Sequence, residues 1–441
     1  MNRRRWFVCM IASAMMAFAA NGFPYLAENP LYWIAAVLFV LSVNIFTGFI
    51  GSRKALWRLR FLAHGTDCLL VFCIAVAVSA VWHLVGWLSL SWQVPTLLWS
   101  AVVSVVVHAM LFWNGMITLY LTSVQLGLRY RVLGAVCGWI PVVNLIVLGI
   151  ILKTTIREYT VEYEKDRLNA SRKEQKICQT RYPILLVHGV FFRDSAVLNY
   201  WGRIPAELEK NGARVFYGKH SSALSVADSA KEIAWRVREI VDITGCEKVN
   251  IIAHSKGGLD CRCAMHTQGI APFVASLTTI NTPHRGCGFA DYLLGVVPEK
   301  LKQKISSAYN TAAHTLGDEE PDFLSAVTDL TATACAVTDK EWVIPDGVLC
   351  QSVGSVLAKA RYGRFPLNVT RGFVAYFDGE NDGLVAEDSF AFGETYTLLR
   401  TTTKRGISHM DVIDLTRENL PDYDAREWFV QLVAELKNKG L

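Results

Sequence analysis

A continuous apolar run, Lys248-Val249-Asn250-Ile251-Ile252, leads directly into Ala253-His254-Ser255-Lys256-Gly257-Gly258 and then into the helix-compatible Leu259-Asp260-Cys261-Arg262. A strand that turns this abruptly into a helix holds the serine at the bend in a strained backbone conformation, so small residues must flank it. Ala253 stands where a glycine is commoner, which costs one methyl group of clearance. The bend lifts the hydroxyl clear of the sheet and aims the next N–H, that of Lys256, into the same space. Such a turn suits a nucleophile and the oxyanion it creates. The alternative is a glycine-rich turn that merely contains a serine, and the short motif alone does not separate the two.

The 441-residue chain has a mean hydropathy of +0.27, and its apolar excess is localised. Residues 1–152 hold five segments of about the length needed to cross a bilayer: 6–23, 31–50, 69–88, 97–121 and 132–152. This half carries nine Lys/Arg against Glu28 and Asp67, an excess larger than the whole chain's net +5, so the remainder is slightly acidic. The basic balance belongs to membrane loops and gives no case for nucleic-acid binding. The sequence therefore predicts an all-α transmembrane module over 1–152, a mixed-charge linker helix over 153–180, and a globular domain over 181–441.

Charge placement orients the module. Arg3–Arg5, then Arg53, Lys54, Arg58 and Arg60, then Arg129 and Arg131 fall in alternate connections, while the loops around Glu28 and 89–96 carry no Lys or Arg. The N-terminus is thus cytoplasmic, unless the first segment is a signal peptide cleaved near Ala17-Phe18-Ala19-Ala20. Five full crossings place the globular domain outside the cell. Gly138-Trp139-Ile140-Pro141 and Asn144 interrupt the fifth segment, however, and a re-entrant fifth segment places that domain in the cytoplasm. The seven cysteines from Cys178 onward lack disulfide-framework spacing and favour a reducing compartment. The side of the membrane stays open at this level.

From Tyr182 onward strand and helix alternate: a strand over 184–187 ending in His188-Gly189-Val190, helix 200–211, strand 215–217, an amphipathic helix 225–244, the strand 249–253 and another over 274–280. Buried strands written as continuous apolar runs predict a mostly parallel sheet covered by helices on both faces. A serine nucleophile needs a base and an orienting acid. Of the histidines well past the bend, His284 follows the next strand too early, His314 lies in a helical insertion, and His409 precedes the last helix. For the acid, Asp382 in Asn381-Asp382-Gly383 is favoured over Asp378 and Glu380, because that tight turn follows an expected strand over 373–377. The alternating acids do not form a calcium loop, since Ser389 stands where the terminal glutamate is required.

Tyr182-Pro183-Ile184-Leu185-Leu186-Val187-His188-Gly189, Asn199-Tyr200-Trp201, the serine turn, Thr282-Pro283-His284-Arg285-Gly286, Asn381-Asp382-Gly383-Leu384-Val385 and His409-x-Asp411 together resemble the secreted bacterial triacylglycerol lipases of the α/β-hydrolase superfamily. The resemblance runs almost continuously over 181–300, with two islands near 378–385 and 405–416, and leaves the membrane half without a counterpart. It implies the α/β-hydrolase fold, a catalytic triad of Ser255, Asp382 and His409, and an oxyanion hole from the backbone N–H groups of Val190 and Lys256. It implies a lid in the insertion 293–371, for which a plain cap at one end of the sheet is the alternative. Asp411 matches a structural calcium ligand of those lipases. Its partner carboxylate has no equivalent in 358–375, so hydrogen-bonded support of the His409 loop competes with calcium as its role.

These readings converge on a membrane-anchored lipase or carboxylesterase that acts on lipid acyl esters and requires no cofactor. An acyltransferase using the same triad, and an inactive hydrolase-like module on a transporter or receptor, are the alternatives. The Lys256 ammonium either lies along the surface, pairs with an acid or holds an anionic headgroup. Acyl-chain preference and oligomeric state are not written in the sequence.

Overall fold

The structure is a computed structural model that describes residues 3–50, 56–90, 92–140, 142–190, 199–315, 318 and 320–441. Arg53, Lys54 and Pro141, with Gly317 and Glu319 of an acidic turn, lie outside the described residues. The chain forms two compact units, 1–171 and 172–441.

The first unit is helical: α1 (Arg3–Asn21), α2 (Phe23–Leu26), α3 (Pro30–Phe46), α4 (Trp57–Leu88), α5 (Val94–Thr122), α6 (Gly127–Cys137) and α7 (Val143–Arg172). Two of these, α4 and α5, are long and apolar enough to cross a membrane, and α3 is a shorter apolar helix. Cross-contacts fix the directions. Tyr32 donates its hydroxyl to the Ala19 carbonyl (2.9 Å), Arg5 pairs with Asp67 (2.5 Å), Asn21 donates to Ser79 (2.9 Å) and Asn114 donates to the Asn44 carbonyl (2.8 Å). α1, α3, α4 and α5 therefore alternate in direction, with Arg5, Asn44, Asp67 and Asn114 towards one end.

The expected fifth segment is not one helix. It breaks after Cys137 into α6 and α7, and α7 continues without interruption through most of the expected linker. A Cβ on Gly134 would lie 3.1 Å from Ile151, so the two helices face one another as a hairpin. At its open end Arg131 donates to the Ser123 carbonyl (2.7 Å), and Glu158 accepts from Ser123 Oγ (2.5 Å) and the Val124 N–H (3.0 Å). The hairpin thus starts and ends beside the last turn of α5.

The second unit contains β1 (Ile184–Val187), α8 (Ile204–Lys210), β2 (Val215–Tyr217), α9 (Val226–Thr244), β3 (Val249–His254), α10 (Lys256–Thr267), β4 (Val274–Ile280), α11 (Gly288–Val296), α12 (Glu299–Thr315), α13 (Phe323–Thr328), α14 (Ala332–Glu341), β5 (Leu349–Ser355), α15 (Leu367–Asp378), β6 (Thr395–Leu399) and α16 (Ala425–Asn438). The sheet order is β2-β1-β3-β4-β5-β6, with every neighbouring pair parallel. Every residue of β1, β3 and β4 is buried, as their uninterrupted runs demand. One face packs on α9 and α10 through Ile233, Val237, Leu259 and Ala264. The other packs on α8 and α16 through Ile204, Leu208, Phe429 and Val433. This is the α/β-hydrolase fold, as the sequence anticipates. Its strand order reverses between β1 and β3, and the carboxyl ends of those strands open the crevice where such sheets bind ligands.

Two sequence expectations fail here. Residues 373–377 are not a strand but part of α15, because a five-residue apolar run has no period of its own. Leu367 and Val374, seven apart, bury one face of that helix, while Phe373 stacks on Phe289 of α11. The strand that precedes the acid is instead β5, which lies inside the expected insertion 293–371. The helical insertion consequently ends with α14. The expected helix 200–211 is also shorter, forming only over α8.

Trp201 is wholly buried between His254 and Phe429. Trp201→Ala leaves a cavity between the sheet and α16, and should destabilise the second unit by about 3–5 kcal/mol. Denaturant titration followed by the remaining tryptophan fluorescence measures that loss.

Candidate active site

Ser255 occupies the single step between β3 and α10 at φ 56° and ψ −133°, a left-handed backbone for a residue with a side chain. Its neighbours sustain that strain. The Ser255 N–H donates to the Ile280 carbonyl (2.9 Å), its own carbonyl accepts from Gly258 (3.1 Å) and from the Thr282 hydroxyl (2.8 Å). Gly189, at the end of β1, approaches so closely that a Cβ there would sit 2.7 Å from Ser255 Cβ. Glycine is therefore required at 189 by space. Val187 of β1 pairs with Ala253 of β3, so Val190 and Lys256 follow from adjacent strand ends, and Val190 is buried.

Asp382 and His409 come together from loops 27 residues apart. His409 Nδ1 lies 2.6 Å from Asp382 Oδ2, and the His409 N–H also donates to the Asp382 carbonyl (2.9 Å). The Asp382 carboxylate is fully buried and accepts from the Leu384 and Val385 N–H groups (2.9 Å each) and from Asn281 Nδ2 (2.5 Å). A carboxylate is the acceptor in this set, so the ring proton sits on Nδ1 and leaves Nε2 its lone pair. The His409 ring lies 4.5 Å from that of His254, the residue before Ser255.

The other acids considered are engaged elsewhere. Asp378 accepts from the N–H groups of Gly288 and Phe289 at the start of α11, and Glu380 pairs with Arg400 on the surface. His284 is buried against Arg262, Thr279 and Phe392, and His314 is exposed on α12.

Three supporting residues escaped sequence reasoning. Asn281, at φ 47° beyond β4, bridges Asp382 and Ser355 Oγ (2.7 Å); an asparagine at a strand end, tolerant of that backbone, is the signal that could have marked it. The Tyr200 hydroxyl accepts from the Gly189 N–H (3.1 Å) and lies 2.7 Å from His254 Nδ1. Burial, with His409 alongside, holds His254 well below the usual imidazole range, so it stays neutral. The pair braces both the end of β1 and the base without adding charge.

Lys256 is buried, and its ammonium donates to Asp260 (2.7 Å) and Ser229 (2.9 Å). It pairs with an acid inside the protein, which overturns a headgroup role for that side chain. Burial pushes the Asp260 carboxyl up to about 7, against the pull of Lys256. Folding thus favours the protonated acid, and this group's stabilising contribution declines as pH rises from about 4 to about 7. Asp260→Asn should flatten that decline in melting temperature measured across the same interval.

Asp411 is likewise engaged. Its Oδ2 accepts from Arg405 Nη1 (2.6 Å), Ser408 Oγ (2.7 Å) and the Ser408 N–H (3.1 Å). Among the described residues no group of three His, Cys, Asp or Glu could hold a metal ion. The residues around Asp411 do not fit calcium, because a guanidinium already neutralises the carboxylate. They fit the alternative role, support of the His409 loop. Arg405→Ala should lower activity without rescue by added calcium, and a chelator should leave the parent protein unaffected in the same ester-cleavage assay.

No family model matches the chain. A triacylglycerol lipase of Pseudarthrobacter phenanthrenivorans is 34% identical over 176 residues, 37% of this chain and 54% of that protein. Part of the chain is similar to triacylglycerol lipases. Those of Vibrio cholerae and Pseudomonas fragi are each 28% identical and span more of the relative, with 61% of this chain on 91% of the first and 59% on 98% of the second. Against two other relatives the match is partial, as the chain spans about half of the Pseudarthrobacter lipase and 48% of one from Burkholderia plantarii. Among solved structures, the Bacillus licheniformis lipase BlEst2 aligns at 23% identity and a TM-score of 0.43, covering 58% of this chain and 92% of that one. A metagenomic carboxyl esterase aligns at 15% and 0.46, covering 59% and 76%.

Proposed function

We propose that the protein is a membrane-anchored serine ester hydrolase that cleaves the acyl esters of lipids. The observation that carries this reading is the buried Asp382–His409 pair, held beside a strained serine turn at the strand-order reversal of the sheet. The similarity to triacylglycerol lipases supports the substrate class.

In this mechanism Ser255 Oγ attacks the ester carbonyl as His409 Nε2 takes its proton. Asp382 fixes the ring tautomer and stabilises the imidazolium. The backbone N–H groups of Val190 and Lys256 receive the oxyanion, a contribution of about 10²–10³ in rate for each donor. The proton on His409 passes to the leaving alcohol, and water activated by the same histidine then releases the acid from the acyl-enzyme.

Four alternating helices followed by a hairpin return the chain to the end of the first unit that carries Arg5 and Arg58. The positive-inside rule assigns that end to the cytoplasm. The second unit follows from α7 on the same side, and its free cysteines accord with a reducing compartment. The proposal is thus a cytoplasm-facing enzyme anchored by four crossings.

An impermeant fluorophosphonate applied to intact and to lysed cells tests activity and sidedness together. Labelling is expected only after lysis, and Ser255→Ala should abolish it. Asp382→Asn should lower kcat by about 10⁴-fold, the loss that follows when the base is left in the wrong tautomer. Labelling that persists in Ser255→Ala rejects the nucleophile, and labelling of intact cells rejects the orientation.

A further inference from the structure

The helical unit contains a cavity of about 580 Å³ between α4, α5, α6 and α7, within the range of small-molecule sites. Its two ends differ. Phe72, Phe112, Met116 and Ile151 line one, and Ser79, His83, Ser104 and His108 line the other, with Asn144 from the hairpin turn. From Phe72 to His83 along α4 is roughly 16 Å at 1.5 Å per residue. The site is therefore elongated, apolar at one end and polar at the other.

The polar end is ordered in advance. His83 Nδ1 lies 2.7 Å from the Ser79 carbonyl and Nε2 3.0 Å from Ser100 Oγ. His108 lies between Ser104 Oγ (3.2 Å) and Ser79 Oγ (3.5 Å). Imidazoles and hydroxyls inside a membrane unit are costly unless a partner or a function retains them. The residues lining the cavity include no Asp, Glu, Lys or Arg.

We infer that this cavity binds a free fatty acid, with its chain along Phe72, Phe112 and Met116 and its carboxyl group against Ser79, His83 and His108. A phospholipid phosphate stays charged and the lining offers it no permanent counter-charge, whereas a fatty acid can enter as the neutral acid. A carboxylic acid group needs hydrogen-bond partners, and it would take the place of the longest contact here, that of His108 Nε2 with Ser79 Oγ at 3.5 Å. The assignment stands on the cavity alone, although a fatty acid is also what the proposed reaction releases into the same membrane.

The test uses the full-length Ser255→Ala protein in lipid nanodiscs, so that no acyl-enzyme forms, and a photoreactive alkyne analogue of palmitic acid. Labelling should be saturable and map to peptides of α4, α5 and α7. Palmitic acid should compete at least about tenfold better than its methyl ester. Met116→Trp, which fills the apolar end, should reduce labelling by a similar factor. His108→Leu, of comparable size, should remove the preference for the acid over the ester, and it carries the test if Met116→Trp does not fold. The same labelling in nanodiscs of the unsubstituted protein separates this site from the serine: a signal that requires Ser255 overturns the inference without touching the proposed reaction. Non-saturable labelling of lipid-facing helices, or equal competition by acid and ester, also overturns it.

Discussion

A carboxylate with no exposed surface, Asp382, governs how the chain beyond β4 can be arranged. An unpaired charge at that depth is costly, and it is tolerated because donors converge on it from three separate segments. Asn281 reaches it from the end of β4, its own turn supplies two backbone N–H groups, and His409 comes from the loop before α16. Each donor is immobilised in turn: Asn281 by Ser355 at the end of β5, and His409 by its backbone bond to Asp382. The same convergence that makes the charge tolerable sets the direction of the imidazole. Stability and alignment of the base therefore cannot be separated at this position.

The first unit is governed by a different constraint. A helix of ordinary crossing length from 132 to 152 would have to continue through Gly138, Trp139, Ile140 and Pro141, and the chain breaks there instead. Val142 adopts φ 68° as α7 begins again. The returning helix brings Glu158 back to the end of α5, where it accepts from Ser123 and two successive backbone N–H groups and pairs with Arg58 (2.8 Å). These bonds close the polar end of the bundle around one carboxylate. The turn chemistry of a few residues thus converts one apolar segment into a helical hairpin that returns to the end of α5.

The strands β1, β3 and β4, the serine turn and the pairing of Asp382 with His409 were legible because each depends on residues near in sequence or on a chain order common to such sites. β5 was not. It reads Leu349-Cys350-Gln351-Ser352-Val353-Gly354-Ser355, whose polar side chains look like loop until their partners are known. Gln351 donates to Thr278 across the sheet (2.9 Å), Ser352 accepts from the Phe392 N–H (2.8 Å), and Ser355 accepts from Asn281. A central strand can carry such residues when neighbouring strands and loops satisfy them, and a single sequence does not reveal those neighbours. The helix over 367–378 was misread for the complementary reason, as its apolar stretch is short and its partner face on α11 is distant in sequence.

The loop that carries His409 is held by ion pairs within the chain. Asp411, two residues after the base, is held by Arg405, while Asp414 is held by Arg203 (2.7 Å) from the segment before α8. The two ion pairs pin the segment that follows His409. A guanidinium binds a carboxylate in fixed geometry and never deprotonates, so it is as permanent as the fold that positions it. A metal ion in the same place would depend on its free concentration and on a second carboxylate, which 358–375 does not provide. With Arg405 in the sequence, the position of the base is specified by residues of the chain itself.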